Sequence, residues 1–534
     1  MSKQISIASS DKSIAVLPFA NMSADPNNEY FSDGITEEII NALTSIEGLK
    51  VIARTSSFSF KGKNIDVRSI GEKLGVNTIL EGSVRKFNNR VRITAQLIRA
   101  EDGFHLWSKN FDRELINIFE LQDEISLLIA DQIRNNFGHF NIDNQLIKAP
   151  NISIGTYELF LKGKFFLNRF NIEDINNGIA IMKDVLKREP NFALAHVNIH
   201  YGYNVLAAGG LMPVKESLSI GKLHLDKALS IDNNLAECYH SLGWHVLNQN
   251  WDFINAEKYL AKAIHLKPGY ADAHQKLFIT LALEGKIKEA YTNISTANQL
   301  DPLQPLNSYF LGYYYYIIEQ FEDSDFYMSR TFELDNTFIV GYSINALSLL
   351  AQKKEKQIFE KAKSIPNIKG ADNERLYMET LAYCGLKDLE NAQKNIDILY
   401  SKLLGDSRER VRFFLIYIET LLENYERALA LIEEGIKHKE PLITLIKVDP
   451  LLKPLHQFEA FQKMISIVFK RSDENSLKPK IDSHSILSDE EIQSYLLDLN
   501  SIIEHEKPFL DSNLSLKQLS DLIDIHPNKL SLFG

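Results

Sequence analysis

The chain is short of the residues that usually announce chemistry. Its 534 residues include two cysteines, Cys238 and Cys384, too few for a disulfide framework and without the paired spacing of a cysteine metal site. Each reads as a small buried apolar side chain in a reducing compartment. No apolar run reaches the roughly eighteen residues that a membrane helix needs, and Tyr313 to Ile318 is only a short patch. The residues through Ser13 are polar and lack the apolar centre of a signal peptide. The expected location is therefore the cytoplasm. A phosphate-binding glycine loop, an H-E-x-x-H helix, a serine-hydrolase elbow and a C-x-x-C pair are all absent. The expectation is a protein with no catalytic residue, no cofactor and no metal. A basic field is missing too. The net charge is -11, and residues 472 to 534 hold 5 basic against 12 acidic side chains. Nothing here would hold a nucleic-acid backbone by charge alone.

What is present is a period. Asn233, Pro268, Pro302 and Asn336 each close a similar run, at spacings of 35, 34 and 34 residues. Small residues keep the same beat. Ala256 and Ala263 precede Pro268 by 12 and 5 residues, Ala290 and Ala297 stand likewise before Pro302, and Ser324 and Thr331 before Asn336. Small side chains seven apart mark one stripe of a helix where a second helix packs closely. The Pro or Asn then stops that helix. Each period is thus a helical hairpin whose apolar surface stays bare until neighbours stack on it.

These residues resemble the tetratricopeptide repeat. In the run from Ala271 to Pro302 the matches are Leu277, Gly285 between the helices, Ala290, Ala297 and Pro302. Fainter copies precede it at Gly178, Val185 and Pro190, and at Gly221, Ala228 and Asn233 after an insertion containing Gly209 and Gly210. Further helical stretches follow near 371 to 400 and 408 to 437. Six to eight hairpins are expected between Thr156 and Phe469. In that family the first helix of each hairpin faces a concave groove. The resemblance then places His240, Trp244, Gln275, Tyr309, Tyr313 and Tyr316 along it, as a surface for a protein or peptide partner. Tyr and Trp suit such contacts because they bury much area while losing few rotamers. Packing of Trp244 and the Tyr313 to Tyr316 cluster between hairpins is the equal alternative. Leu451, Pro454 and Leu455 are expected to cap the open end, where the last hairpin has no neighbour.

Before the repeats, the periodicity gives a small α/β domain of order βαβαβββα. Ser13 to Phe19 and Leu49 to Thr55 read as strands, Thr36 to Leu43 as a helix capped by Thr36, and Asp66 to Leu74 as another helix. Three strands follow, Thr78 to Phe87, Val91 to Ala100 and Phe104 to Phe111. Their turns are Asn88-Asn89 and Glu101-Asp102-Gly103, and in the second strand Val91, Ile93, Ala95 and Leu97 alternate with polar residues. A helix near Ile116 to Asn136 leads out. Asp33-Gly34 reads either as a plain turn or as an anion-binding loop. Arg54, Arg85, Arg90 and Arg92 read either as a solvated face or as a basic patch. The sequons Asn21-Met22-Ser23 and Asn151-Ile152-Ser153 carry no meaning without secretion.

This domain resembles the TolB-like or FlgO-like amino-terminal module of bacterial regulators. The residues that carry the likeness are Ala15 to Phe19, Tyr30 to Gly34, Val51 to Ser57, Glu81 to Arg85 and Leu106 to Ser108. In such relatives the module accompanies adenylate cyclases or transcription regulators, often behind a membrane helix. The resemblance implies sensing or docking and no catalysis.

Past Arg471 the composition turns to Ser, Asp, Lys and Asn, a linker to about 486. A helix opens at Ser488 with Glu491 as a capping box and buries Ile492, Leu496, Leu499 and Ile503. Pro508 to Asp511, Leu514 to Leu516, Leu519 to Ile523 and Pro527 to Ser531 then resemble the start of an AraC-type DNA-binding domain. Asn528, Lys529 and Ser531 are the positions to which that resemblance carries DNA contact. The chain stops at Gly534, so the recognition helix is a stub and useful DNA affinity is not expected of it.

The expected organisation is an α/β module over 1–140, an all-α tetratricopeptide solenoid over 150–470, a linker over 471–486 and a short helical fragment over 487–534. The expected function is a non-enzymatic bacterial signalling or transcription regulator, with DNA as the target of the intact family form. A partner-binding scaffold without DNA binding is the second reading, and an adenylate-cyclase-linked sensor the third.

Overall fold

The computed structural model describes residues 12–137, 152–169, 171–208, 214–405 and 408–470, with residues 141, 142, 146 and 212 besides. The expected linker, the helix from Ser488 and the AraC-like segment with Asn528, Lys529 and Ser531 lie outside the described residues. Everything below concerns the compact unit that ends at Arg471.

The module is built on one sheet. Its strands are β1 (Ser13–Val16), β2 (Ala20–Asn21), β3 (Lys50–Val51), β4 (Thr78–Phe87), β5 (Arg90–Arg99) and β6 (His105–Glu114). The order is β3-β1-β4-β5-β6. β1 and β2 lie end to end along β4, pairing Ile14 with Thr78 and Ala20 with Ser83. Parallel pairing of β1 with β3 and β4 needs crossovers. Helices α1 (Glu29–Thr44), α2 (Arg54–Phe58) and α3 (Val67–Leu74) supply them, and α4 (Ile118–Phe137) closes the module. The meander β4-β5-β6 is antiparallel. Val91, Ile93, Ala95 and Leu97 of β5 are buried, as their alternation requires.

Three local expectations change. Thr36 is not a helix cap, because α1 starts seven residues earlier, behind a turn that Asp25 caps by accepting from the Asn27 N–H. Thr36 is buried inside α1, where its hydroxyl donates to the Ser32 carbonyl and accepts from the Phe19 N–H. Asp33 and Gly34 are therefore neither turn nor anion loop. Asp33 pairs with Lys61 at 2.6 Å. Arg54, Arg90 and Arg92 do not share a basic patch. Arg90 and Arg92 both engage Asp112, whereas Arg54 turns to Glu37 at 3.1 Å.

Eight helical hairpins follow among the described residues. They are α5 (Ile154–Leu167) with α6 (Ile172–Arg188), α7 (Ala193–Ala208) with α8 (Val214–Ile231), α9 (Ala236–Asn250) with α10 (Phe253–Leu266), and α11 (Ala271–Glu284) with α12 (Ile287–Leu300). The later four are α13 (Pro305–Ile317) with α14 (Phe321–Leu334), α15 (Ile339–Ala351) with α16 (Glu355–Ser364), α17 (Ala371–Leu386) with α18 (Leu389–Ser401), and α19 (Arg408–Leu421) with α20 (Tyr425–Lys437). The small-residue stripe is the packing seam: Ala256, Ala263, Ala290, Ala297, Ser324 and Thr331 are all fully buried. Gly285 ends α11 at φ 88, a left-handed turn that a Cβ would strain. This is a small α/β sheet domain followed by a tetratricopeptide-type solenoid.

Beside two smaller clusters, one around Ile52, Ile70 and Ile79 of the module and one around Val197, Leu225 and Cys238, two large apolar cores run through the unit. One runs without a break from Ile14, Ile39 and Ile125 of the module into Phe160, Met182 and Ile199 of the first two hairpins. The other spans α9 to α20 and continues into the segment after them. That segment holds two 3-10 helices, Pro441–Lys447 and Pro450–Gln457, and then α21 (Glu459–Val468). Leu452 and Leu455 are buried in it, Leu451 is half-buried and Pro454 is exposed. It covers α19 and α20 as a cap, and Phe469 also stacks on Phe253 of α10 at 4.7 Å.

Candidate partner-binding face

The first helices of successive hairpins touch one another, α9 with α11, α11 with α13, α15 with α17 and α17 with α19. They make one continuous face, and the six residues expected on it part into two groups. Tyr313 and Tyr316 are buried, and so is Gln275. These three serve the fold. Gln275 Nε2 donates to Asn307 Oδ1 at 2.7 Å, and Asn307 in turn donates to the carbonyls of Ala297 and Asp301. The Tyr316 hydroxyl donates to Asp449 at 2.8 Å, and Tyr417 of α19 donates to the other oxygen of the same carboxylate. Burial pushes Asp449 up to about 6, against those hydroxyl bonds, which lower it. The cap thus covers the stretch of face that Tyr313 and Tyr316 were expected to offer.

His240, Trp244 and Tyr309 remain half-buried. The ring of Tyr309 lies 5.2 Å from that of Phe338, and burial pushes its hydroxyl up to about 12. His240 sits 5.1 Å from the Tyr270 ring, and burial pushes it down to about 4, so it is neutral at pH 7. Lys276 was not foreseen. Its ammonium stands 4.3 Å from the centre of the Trp244 ring and donates to Gln275 Oε1 at 3.1 Å. Among the described residues it has no carboxylate partner, whereas Arg410 is held by Glu374 at 2.7 Å and Lys267 by Glu237 at 3.2 Å. Its i,i+4 neighbour Asp272 raises its affinity for a proton, but burial outweighs that and lowers it. A Lys one turn after an Asp is too common a pattern for the sequence to single out.

A second site is the joint between module and solenoid. Ala53 N–H donates to the Leu300 carbonyl at 2.8 Å. Ser56 donates to Asp301 from its amide, at 3.0 Å, and from its hydroxyl, which accepts from the Leu303 N–H at 2.9 Å. Burial pushes Asp301 up to about 7 although these bonds pull it down. Gly269 N–H reaches the Thr44 carbonyl at 3.0 Å, and Lys164 of α5 pairs with both Glu37 and Glu38. Ser56 lies in the run that carries the module's resemblance, and Asp301 precedes the repeat-closing Pro302. Both were visible; their pairing was not.

With this geometry, the chain's likeness to known proteins falls on its parts. Residues 10–128 match the family described as HilA/YgeH-like transcriptional regulator, second domain. The chain is 41% identical over 187 residues to "Putative adenylate cyclase 3" of Rhizobium meliloti (strain 1021), covering 35% of this chain and 32% of that one. It thus spans about a third of the length of that relative. Among solved structures it is similar to the Pseudomonas aeruginosa pilF protein, with 18% identity, 39% of this chain, 92% of that chain and a TM-score of 0.29. It is also similar to the Cut9-Hcn1 assembly of the APC/C, with 15% identity, 59% of this chain, 56% of that chain and a TM-score of 0.38. The module is therefore similar to a transcriptional-regulator domain, and no described helix is long and apolar enough to cross a membrane.

Proposed function

We propose that this protein is a non-enzymatic regulator, in which the α/β module is the sensing or docking part and the uncovered stretch of the solenoid face binds a protein or peptide partner. The observation that carries the reading is the Lys276 ammonium set over the half-buried Trp244 ring with no carboxylate bonded to it, on the same run of first helices as the half-buried Tyr309 ring. Such a group suits a partner segment that brings an acidic side chain beside an apolar one. His240 adds a neutral polar neighbour. The family match of the module supports transcription as the process regulated. DNA as an output rests on the AraC-type resemblance of Asn528, Lys529 and Ser531 alone, and belongs to the intact family form rather than to the partner face. A photo-crosslinking residue at Trp244, in the full chain inside cells, tests the face. One partner band that disappears with Lys276→Glu is expected; a pattern unchanged by Lys276→Glu sinks the reading.

The identity to the putative adenylate cyclase favours a second reading, a module that accompanies a cyclase. Cellular cyclic AMP that changes when the gene is removed would favour it.

A further inference from the structure

Hairpins four and five are gripped at both ends. Ahead of α11 the Gly269 N–H is bonded to Thr44 of the module, and ahead of α13 Asp301 and Leu303 are bonded to Ser56. At the opposite ends stands the cap. Lys447 Nζ donates at 3.1 Å to the carbonyl of Glu284, the last residue of α11. Lys453 pairs with Glu319, just past α13, and Tyr316 in the last turn of α13 donates to Asp449. Helices of 14 and 13 residues are about 20 Å long at 1.5 Å per residue. Gln275 and Asn307 tie the two together within their first two turns.

A packed helix transmits a displacement along its axis, since its backbone bonds and its close-packed neighbours resist bending more than sliding. The module's grip and the cap's grip on α11 and α13 therefore bias the same two struts. We propose that α11 and α13 couple module docking to cap closure. Release of the Ser56 to Asp301 latch loosens the cap, and release of the cap from Tyr316 loosens the latch. The cap covers Tyr313 and Tyr316, so the module governs how much of the solenoid face a partner can reach. This adds a control to the proposed function without depending on who the partner is.

Coupling between two sites is reciprocal, which makes the idea testable from both ends. Hydrogen exchange read by mass spectrometry on the full chain compares wild type with Asp301→Ala and Asp449→Ala. Asp301→Ala is expected to speed exchange in 441–457, and Asp449→Ala in 53–58, each by about fivefold or more, with α18 unchanged. Changes confined to the mutated end overturn the coupling. So does a parallel loss over all eight hairpins, which would mean plain global destabilisation. Should an alanine variant fold poorly, Tyr316→Phe removes one cap bond and keeps the ring; faster exchange in 53–58 is expected of it, and an unchanged rate there counts against the proposal.

Discussion

Ser56 and Asp301 hold each other across the joint between the module and the solenoid, 245 residues apart in the chain, both buried. The serine gives the carboxylate two donors and keeps its own oxygen for the Leu303 N–H. Replacing Ser56 by Ala removes one donor from a buried acid and strands an amide. The expected cost is about 1–3 kcal/mol. Because both residues serve one network, Ser56→Ala and Asp301→Ala should be markedly non-additive in a double-mutant cycle of melting or denaturant midpoints. Simple additivity would mean that the latch contributes nothing.

The same acid sets a pH dependence. Burial raises Asp301 to about 7 in the folded chain, above the ordinary 3.9 of an unfolded Asp. The folded state then binds the proton more tightly, so this group's contribution is fullest below about pH 4 and is lost as pH rises to about 7. Asp449, raised to about 6, acts in the same direction. Buried His200 and half-buried His224 act oppositely. Burial lowers His200 and His224 to about 4, and stability rises as pH climbs from there towards their unfolded value of about 6.5. Asp301→Asn should therefore steepen the rise of stability between pH 4 and 7. His224→Gln should flatten it. Thermal melts across that range read both slopes, and unchanged slopes would refute the assignment.

The two groups of face residues should separate under mutation. Tyr316→Ala opens a cavity in the core and leaves Asp449 short of a donor, with a loss of about 3–5 kcal/mol expected. Trp244→Ala and Lys276→Glu touch half-buried positions. They should weaken the photo-crosslinked complex while shifting the melting temperature little. If Trp244→Ala unfolds the chain as Tyr316→Ala does, Trp244 is core and not a contact.

Gly269 reports on docking. A Cβ there would come within 3.0 Å of the Thr44 carbonyl oxygen and 3.2 Å of its Cα, so the module's backbone, not a flexible side chain, would have to give way. Gly269→Val should separate the loop from the module and make residues 44–58 more open to protease. At Gly34 the obstacle is the tip of Leu161, 2.9 Å away. That side chain can turn, and alanine favours the helix by about 1 kcal/mol, so Gly34→Ala should be much milder. Equal damage at both positions would contradict this account of the joint.

Much of this molecule was legible in the residues because much of it is local. The 34-residue beat of Ala256, Ala290 and Ser324 is a packing requirement between adjacent helices, and alternation in Val91 to Leu97 is a requirement of one sheet face; both are satisfied in the fold. Thr36 failed as a cap for an equally local reason. The helix runs back to Glu29 behind the turn that Asp25 caps, and Thr36 spends its hydroxyl inside it.

The sequence alone determined the three-stranded meander, the hairpins and the seam of small residues, since each follows from spacing between near neighbours. The strand expected over Leu49 to Thr55 is only Lys50–Val51, with Arg54 and Thr55 opening α2, and β2 was not expected. Which aromatic residues of the solenoid face stay open, and where the module sits, only the tertiary structure decided. Tyr316 is covered because the segment after α20 runs back across the first helices, where Asp449 meets both Tyr417 and Tyr316, 133 residues before it, and Lys447 reaches Glu284. Trp244 and Tyr309 escape that cover. Ser56 meets Asp301 where Leu303, two residues on, packs against the module's own cluster of Ile52, Phe60 and Ile79. No period in a sequence records the path of such a returning segment, and the repeat itself carries no mark of which turn lies against which.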